Sequence, residues 1–389
     1  MQNFMYYAPT KVYFGKNTHK NVGEIIKGYG FGKIMMQYGK SSIKKTGLYD
    51  EVMKSLKDNG IEVVEMGGVE PNPKLDFIRE AVKIAKENSV EMILAVGGGS
   101  VIDSSKFTAA GAVADCDVWD FPTRKNEVKE ALPVGTILTI SAAGSEMSAN
   151  AVMTNMEENM KRGYGCDSFR CLFSILNPEL TYSVSKYQTA CGIVDIMAHT
   201  MERYFTPVEP TLITDGIAES ILRTVIESGR VLMDKPDDYE ARANVMWASS
   251  LSHNNLTSCG RESYLAVHQL EHALSGEYDE VAHGAGLAVL YPAWARYVYK
   301  LNISRFVQFA RNVWGVEEKD DEKAAVLGIE RMEEFFAFIE MPSRISDFGL
   351  GEVSAERLAD LCTYGRKRTV RSFEELDFDK IKEIFESCL

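Results

Sequence analysis

The chain has 389 residues, 45% of them hydrophobic and 25% charged, with a formal net charge of −13. That length accommodates two domains with a core each, and the balance excludes a disordered or fibrous chain. The acidic excess repels nucleic acid and anionic membranes, and no apolar run reaches membrane-spanning length. The opening stretch MQNFMYYAPT carries neither a basic leader nor an apolar signal core. Seven cysteines, scattered from Cys116 to Cys388 without paired short spacings, read neither as a disulfide framework nor as a zinc finger. A soluble, cytoplasmic protein is expected.

In chain order, Lys33–Tyr38 (KIMMQY) reads as a strand, followed by the turn-rich GKSS and a helix through Leu48–Leu56. Ile61–Glu65 is a second strand, closed by GGVEPNP, and Lys74–Asn88 spaces Phe77, Ile78, Val82 and Ala85 as a helix does. Met92–Val96 is a short apolar strand, Val101–Ala114 a helix with small residues, and Val134–Ile140 another strand. Such alternation predicts a Rossmann-like, mostly parallel sheet wound on both faces. Beyond Asn177-Pro178-Glu179-Leu180 strand signals almost vanish. Helical patterns take over at Gln188–Tyr204, Ile213–Leu232, Asp238–Leu256 and Ala324–Ile339. The expected organisation is an α/β domain over residues 1–183 and an all-helical domain over 184–389.

Two groups of residues carry chemistry. Gly97-Gly98-Gly99-Ser100 follows the strand MILAV and opens a helix, so that backbone N–H groups and the positive helix end can meet a phosphate. A tight βα turn without a ligand is the competing reading, because this is not the G-x-G-x-x-G fingerprint. Asp103 and Lys106 follow on that helix, where either could be a solvated charge. A second small-residue loop, Thr139–Glu146 (TISAAGSE), also follows a strand, and loops at adjacent strand ends form the crevice where open α/β sheets bind nucleotides.

The second group draws on a scarce residue. Four of the six histidines are His199, His268, His272 and His283. Asp195 and His199 lie one helical turn apart, as do His268 and His272, and His283 follows in VAHGAGLA. An Asp and three His can fill a divalent-metal site with one position left open. His19 and His253 lack such partners and read as structural.

Further motifs run nearly end to end: PTKVYFG, YGKSSIKKTGLYD, GVEPNP, AVGGGSVIDSSK, GSEMS, NPELTY, DIMAHTMERYF and VHQLEHALSG…AHGAGLA. With them the chain resembles the iron-containing (group III) alcohol dehydrogenases, in particular the butanol-dehydrogenase and broad-range aldehyde-reductase branch. The resemblance implies the dehydroquinate synthase-like fold of that group, reversible hydride transfer that reduces aldehydes such as butanal to primary alcohols, and a homodimer. It implies that Asp195, His199, His268 and His283 are ligands of one Fe²⁺ or Zn²⁺. His272 matches a non-ligand histidine of the substrate pocket, a candidate proton relay. Gly97, Gly98, Gly99 and Ser100 match the pyrophosphate loop, Asp103 lies beside the nicotinamide ribose, Thr139 contacts cofactor, and Lys161 lies near the cofactor ribose. The residues 1–183 are then the dinucleotide-binding domain and 184–389 the metal-binding, catalytic one.

This chain also departs from the pattern. Lys40 and Ser41 interrupt a glycine-rich run, Ser141 stands where proline is common, and Tyr264 where many members carry tryptophan. NAD-preferring relatives place an acidic residue after the first strand to accept hydrogen bonds from the adenosine ribose. Here the place reads Tyr38-Gly39-Lys40-Ser41-Ser42, without a carboxylate to repel a 2′-phosphate, so Gly39 and Ser42 are expected cofactor contacts and NADP(H) is expected over NAD(H). The rivals are a related polyol dehydrogenase, a sugar-phosphate cyclase, a silent nucleotide- or metal-binding regulator and a filament subunit. No basic cluster near the histidines supports the cyclase, and the intact Asp/His set speaks against a silent protein.

Overall fold

The structure is a computed structural model that describes every residue except Asn159 and Glu209. The chain divides into two compact units, one of Tyr7–Val184 and one of Ser185–Leu389 together with Met1–Tyr6.

The first unit is built on six parallel strands: β1 (Lys11–Phe14), β2 (Lys33–Tyr38), β3 (Glu62–Gly67), β4 (Met92–Gly97), β5 (Val134–Leu138) and β8 (Phe173–Leu176). Their order is β1-β8-β5-β4-β2-β3. Every residue of β4 is buried, as its unbroken MILAVG run requires of a central parallel strand covered on both faces. Helices α1 (Val22–Gly28) and α3 (Leu48–Asp58) place Val22, Ile26, Val52 and Leu56 on Ile34, Met36, Leu94 and Val96, with the short α2 (Ser42–Lys45) beside them. A separate cluster joins Leu75 and Ile78 of α4 (Leu75–Glu87) to Phe107 and Ala110 of α5 (Gly99–Val113). An antiparallel hairpin, β6 (Asn150–Asn155) and β7 (Met160–Gly165), adds Ala151, Met153 and Tyr164 to it.

The chain runs outward from β2 to β3, returns to the other side of β2 as β4, and continues to β5 and β8. The order therefore reverses between β2 and β4. Ligands of open α/β sheets bind outside the carboxyl ends of the strands at such a switch point. The segments that leave those ends here are Gly39–Ser42 and Gly98–Ser100.

The second unit contains α6 (Lys186–Tyr204), α7 (Leu212–Asp234), α8 (Tyr239–His253), α9 (Ala266–Glu277), α10 (His283–Val298), α11 (Ile303–Trp314), α12 (Asp321–Phe338), α13 (Ala355–Cys362) and α14 (Phe378–Ser387). Two two-residue strands, β9 (Val370–Arg371) and β10 (Glu375–Leu376), form its small sheet. Helix α6 starts at Ser185, whose hydroxyl accepts from the Gln188 N–H at 3.2 Å. From Thr189 to Tyr204 every α6 residue is buried, and the helix packs against α7, α8, α9 and α10. A helix so enclosed can carry polar side chains only where they meet one another or a ligand. That condition singles out the polar residues of α6.

The Rossmann-like sheet and the helical second half expected from the sequence are both present. All seven cysteines are free thiols. No helix among the described residues is long and apolar enough to cross a membrane.

Candidate metal and cofactor sites

Asp195, His199 and Glu202 share one face of α6 at i, i+4 and i+7. Helix α9 adds His268, and α10 begins at His283. The approach of α10 depends on Gly284, where an added Cβ would lie 2.1 Å from the Cys191 carbonyl oxygen of α6. Asp195 Oδ1 is thereby surrounded by Nε2 of His199 at 3.3 Å, of His268 at 3.5 Å and of His283 at 3.9 Å. Bonds of about 2.1 Å to one ion would space tetrahedral donors about 3.4 Å apart, close to these values.

The polar bookkeeping tests whether a cation fits. Among the described residues, Asp195 Oδ1 and His268 Nε2 are buried atoms that make no hydrogen bond. Each such orphan costs about 1–3 kcal/mol, and a divalent ion among one carboxylate and three imidazoles would remove both penalties. The donor set fits the group.

The second layer is as specific as the first. His268 Nδ1 bonds Glu202, whose other oxygen accepts from the N–H of Val267 at 2.5 Å and of His268 at 3.3 Å, so one carboxylate fixes the ring and caps α9. His283 Nδ1 bonds Glu271, a fully buried carboxylate of α9. A carboxylate behind an imidazole holds the proton on Nδ1 and leaves Nε2 to a metal. Burial pulls the His268 ring down, but Glu202 and Asp195 outweigh it and push it up to about 9. Burial, followed by His253 and His268, holds His199 well below the ordinary histidine value. Replacing Glu202 by Gln should keep the fold yet weaken Zn²⁺ binding by about 10–100-fold, measured by competition with a chromogenic chelator. Unchanged affinity would reduce Glu202 to a helix cap.

His272 is half-buried, its ring 5.7 Å from that of His283 and 6.5 Å from that of His268. With Glu271 and His283 it forms a second group whose donor atoms lie within 4.8 Å of one another. His19 is structural in its own unit, bonding Glu51 at 2.7 Å and Asn177 at 3.3 Å. His253 is different: its ring lies 4.0 Å from that of His199, a contact between residues 54 apart that no local spacing announces.

In the α/β unit, Gly97 ends β4, Gly98 precedes α5, and Gly99 and Ser100 form its first turn. A Cβ at Gly98 would lie 2.2 Å from Ile140 Cγ2, whereas one at Gly99 would meet only Ala143 at 3.8 Å. Packing alone therefore explains Gly98, while the turn at Gly99 stays open for a ligand. The first N–H groups of a helix have no intrahelical acceptor, which suits them to an anion. Thr139 follows the neighbouring strand end, its N–H bonded to the Gly97 carbonyl at 3.1 Å.

Asp103 and Lys106 are not surface charges. Asp103 accepts from Ser145 Oγ at 2.5 Å and from the Val152 N–H at 2.9 Å. Burial pushes its carboxyl up, opposed by the Lys106 ammonium. Lys106 is fully buried, and Lys161, on β7, is buried as well. At the end of β2, Lys40 pairs with Glu70 at 2.6 Å, and Lys44 stands 5.1 and 4.8 Å from the centres of the Tyr38 and Tyr49 rings. Gly39 and Ser42 thus sit at the switch point with the glycine loop, while Asp103 and Lys106 lie further along α5 and Lys161 is near enough to act on the Asp103 charge.

Comparisons with known proteins reach both units. Residues 9–178 match the family model for iron-containing alcohol dehydrogenase, and residues 189–389 match that for the C-terminal part of the Fe-containing alcohol dehydrogenase family. The chain is 44% identical over 387 residues to NADH-dependent butanol dehydrogenase A of Clostridium acetobutylicum, covering 99% of each chain. It is 34% identical over 391 residues to an NADPH-dependent aldehyde reductase of Escherichia coli, covering 100% of each. The crystal structure of NADH-dependent butanol dehydrogenase A from Thermotoga maritima superposes with a TM-score of 0.97 at 39% identity, over 100% of this chain and 99% of that one. With both units matched and full-length relatives at these identities, the chain belongs to the iron-containing alcohol dehydrogenase family.

Proposed function

We propose that this alcohol dehydrogenase reduces small aldehydes such as butanal to primary alcohols, drawing hydride from NADPH in preference to NADH. Asp195, His199, His268 and His283 hold its one divalent ion, Fe²⁺ or Zn²⁺. The observation that carries the reading is the pair of orphaned buried atoms, Asp195 Oδ1 and His268 Nε2, in a ring of imidazole nitrogens. A divalent ion supplies Lewis-acid stabilisation of charge developing on a carbonyl oxygen. The aldehyde class follows the relatives, two of which are named a butanol dehydrogenase and an aldehyde reductase.

The chain's own residues have separable tasks. Glu202 and Glu271 keep the Nδ1 protons of His268 and His283 in place, so the Nε2 lone pairs face inward. Gly99 and Ser100 bind the cofactor pyrophosphate through backbone N–H groups, and Thr139 flanks it from the next strand end. His272, half-buried beside the ligand histidines, passes a proton from solvent to the product oxygen through its imidazole. The exposed Phe4, Met5, Leu212 and Ile213 favour burial against a second copy in a homodimer, which sedimentation would check.

The cofactor preference rests on the end of β2. Residues 38–45 carry three lysines and two serines but no carboxylate of their own, and Ser42 can donate to a 2′-phosphate. Against this, Glu70 already neutralises Lys40, and the butanol dehydrogenase relatives are named for NADH. The expected result is a kcat/KM for NADPH about tenfold above that for NADH, one extra charged contact. Equal values, or a preference for NADH, would remove the 2′-phosphate site. The deciding assay is butanal-dependent NADPH consumption by protein reconstituted anaerobically with Fe²⁺ or Zn²⁺ and then chelated. Turnover that survives complete removal of metal would overturn the function.

A further inference from the structure

Of the four converging donor atoms, Asp195 Oδ1 and His268 Nε2 are orphans, but His199 Nε2 is not. His199 Nε2, 3.3 Å from Asp195 Oδ1, is also 3.1 Å from Nδ1 of His253, the last residue of α8. Both rings are buried, with their planes at 49°. Two ring nitrogens at that distance, away from an ion, share a proton.

His199 differs from the other imidazoles on its far side too. Carboxylates stand behind His268 and His283, whereas His199 Nδ1 faces Arg203 Nη1 at 3.5 Å. That guanidinium is anchored on the His199 carbonyl at 2.6 Å and can only donate. A donor behind the ring favours the tautomer with its proton on Nε2, which is the nitrogen an ion needs bare. His253 Nδ1 is placed to accept that proton's hydrogen bond.

We propose that His253 competes with the divalent ion for His199, occupying Nε2 through an N–H···N hydrogen bond until the ion is loaded. Loading opens this bond, moves the His199 proton from Nε2 to Nδ1, and turns the Nε2 lone pair to the ion. His253 is a positioning residue that sets how firmly the site holds its metal. The inference rests on His199 being a metal ligand, as read above.

The test measures Zn²⁺ affinity by chelator competition for the wild type, His253→Leu and His253→Gln. Leucine removes the acceptor and should tighten Zn²⁺ binding about 5-fold, the worth of one ordinary hydrogen bond, whereas glutamine keeps an acceptor and should stay near wild type. Unchanged affinity in His253→Leu overturns the competition, and weaker affinity overturns it by making His253 a ligand. A second measurement needs no variant. In metal-free wild-type protein with ¹⁵N-labelled histidine, a nitrogen–nitrogen coupling across the shared proton should link His253 Nδ1 to His199 Nε2 and vanish when Zn²⁺ saturates the site. Its absence beforehand, or its persistence afterwards, overturns the proposal. His199→Ala separates the underlying reading: wild-type zinc affinity in that variant removes the ligand assignment itself. Lost affinity there, with His253→Leu unchanged, removes only the competition.

Discussion

Replacing His199 with alanine is expected to leave a folded chain that neither retains a divalent ion nor turns over aldehyde. The side chain supplies one of the three imidazole nitrogens around Asp195 Oδ1, and its loss leaves three protein donors, with water in place of the fourth, to hold the ion far more weakly. The ion's stabilisation of a developing oxyanion is worth several kcal/mol, and each 1.4 kcal/mol is a factor of ten in rate. Activity should therefore fall by at least about 10³-fold, in step with metal content rather than independently of it. The fold should survive, because α6 is held by apolar neighbours along its whole buried length. Metal analysis of the purified variant beside its turnover number makes the check. A variant that keeps its metal and loses only turnover would place His199 in the chemistry and outside the ligand set.

Much of this was legible because the informative patterns are local. Strand–helix alternation from Lys33 to Ile140 announces a parallel sheet, since each strand must be followed by a helix long enough to cross back. The short β1 and β8 and the β6–β7 hairpin escaped the reading. Four residues such as FSIL show no period, and MKRGYG in β7 lacks the apolar alternation of a half-buried strand. The metal donors stood out because histidine is scarce and two pairs fall at i, i+4. Glu202 and Glu271 were missed, although a signal existed: Glu202 is seven residues beyond Asp195, and Glu271 is three beyond His268. Carboxylates are too common for such spacing to attract notice unless a ligand histidine needs a partner. His253 and Lys106 had no local signal at all, because their partners arrive only through tertiary packing.

Lys106 is where that packing should be most costly to disturb. Its ammonium, on the buried stretch Val101–Gly111 of α5, donates to the carbonyls of Ser145 at 2.7 Å, Ser148 at 3.0 Å and Asn150 at 2.8 Å, and meets Ser145 Oγ at 3.0 Å. Ser145 in turn donates to Asp103, so one cation gathers the Ser145–Asn150 stretch and balances a buried carboxylate. Lys106→Met keeps the volume and removes the ammonium donor from all of these acceptors, leaving the Ser145 carbonyl only its bond from the Ser148 N–H. Breaking a buried charge arrangement from one side costs about 3–5 kcal/mol. In a unit of this size that lowers the melting temperature by about 10 °C. The loss should also be coupled to Asp103, whose carboxyl burial already pushes up and which Lys106 alone among the nearby cations opposes most strongly. Asp103→Asn should therefore cost much less stability in the Lys106→Met background than in the wild type, a non-additivity of more than about 1 kcal/mol. Calorimetry on the two single variants and the double variant reads it directly. Additive losses would mean that Lys106 serves the loop carbonyls and leaves the Asp103 charge to be balanced by Lys161.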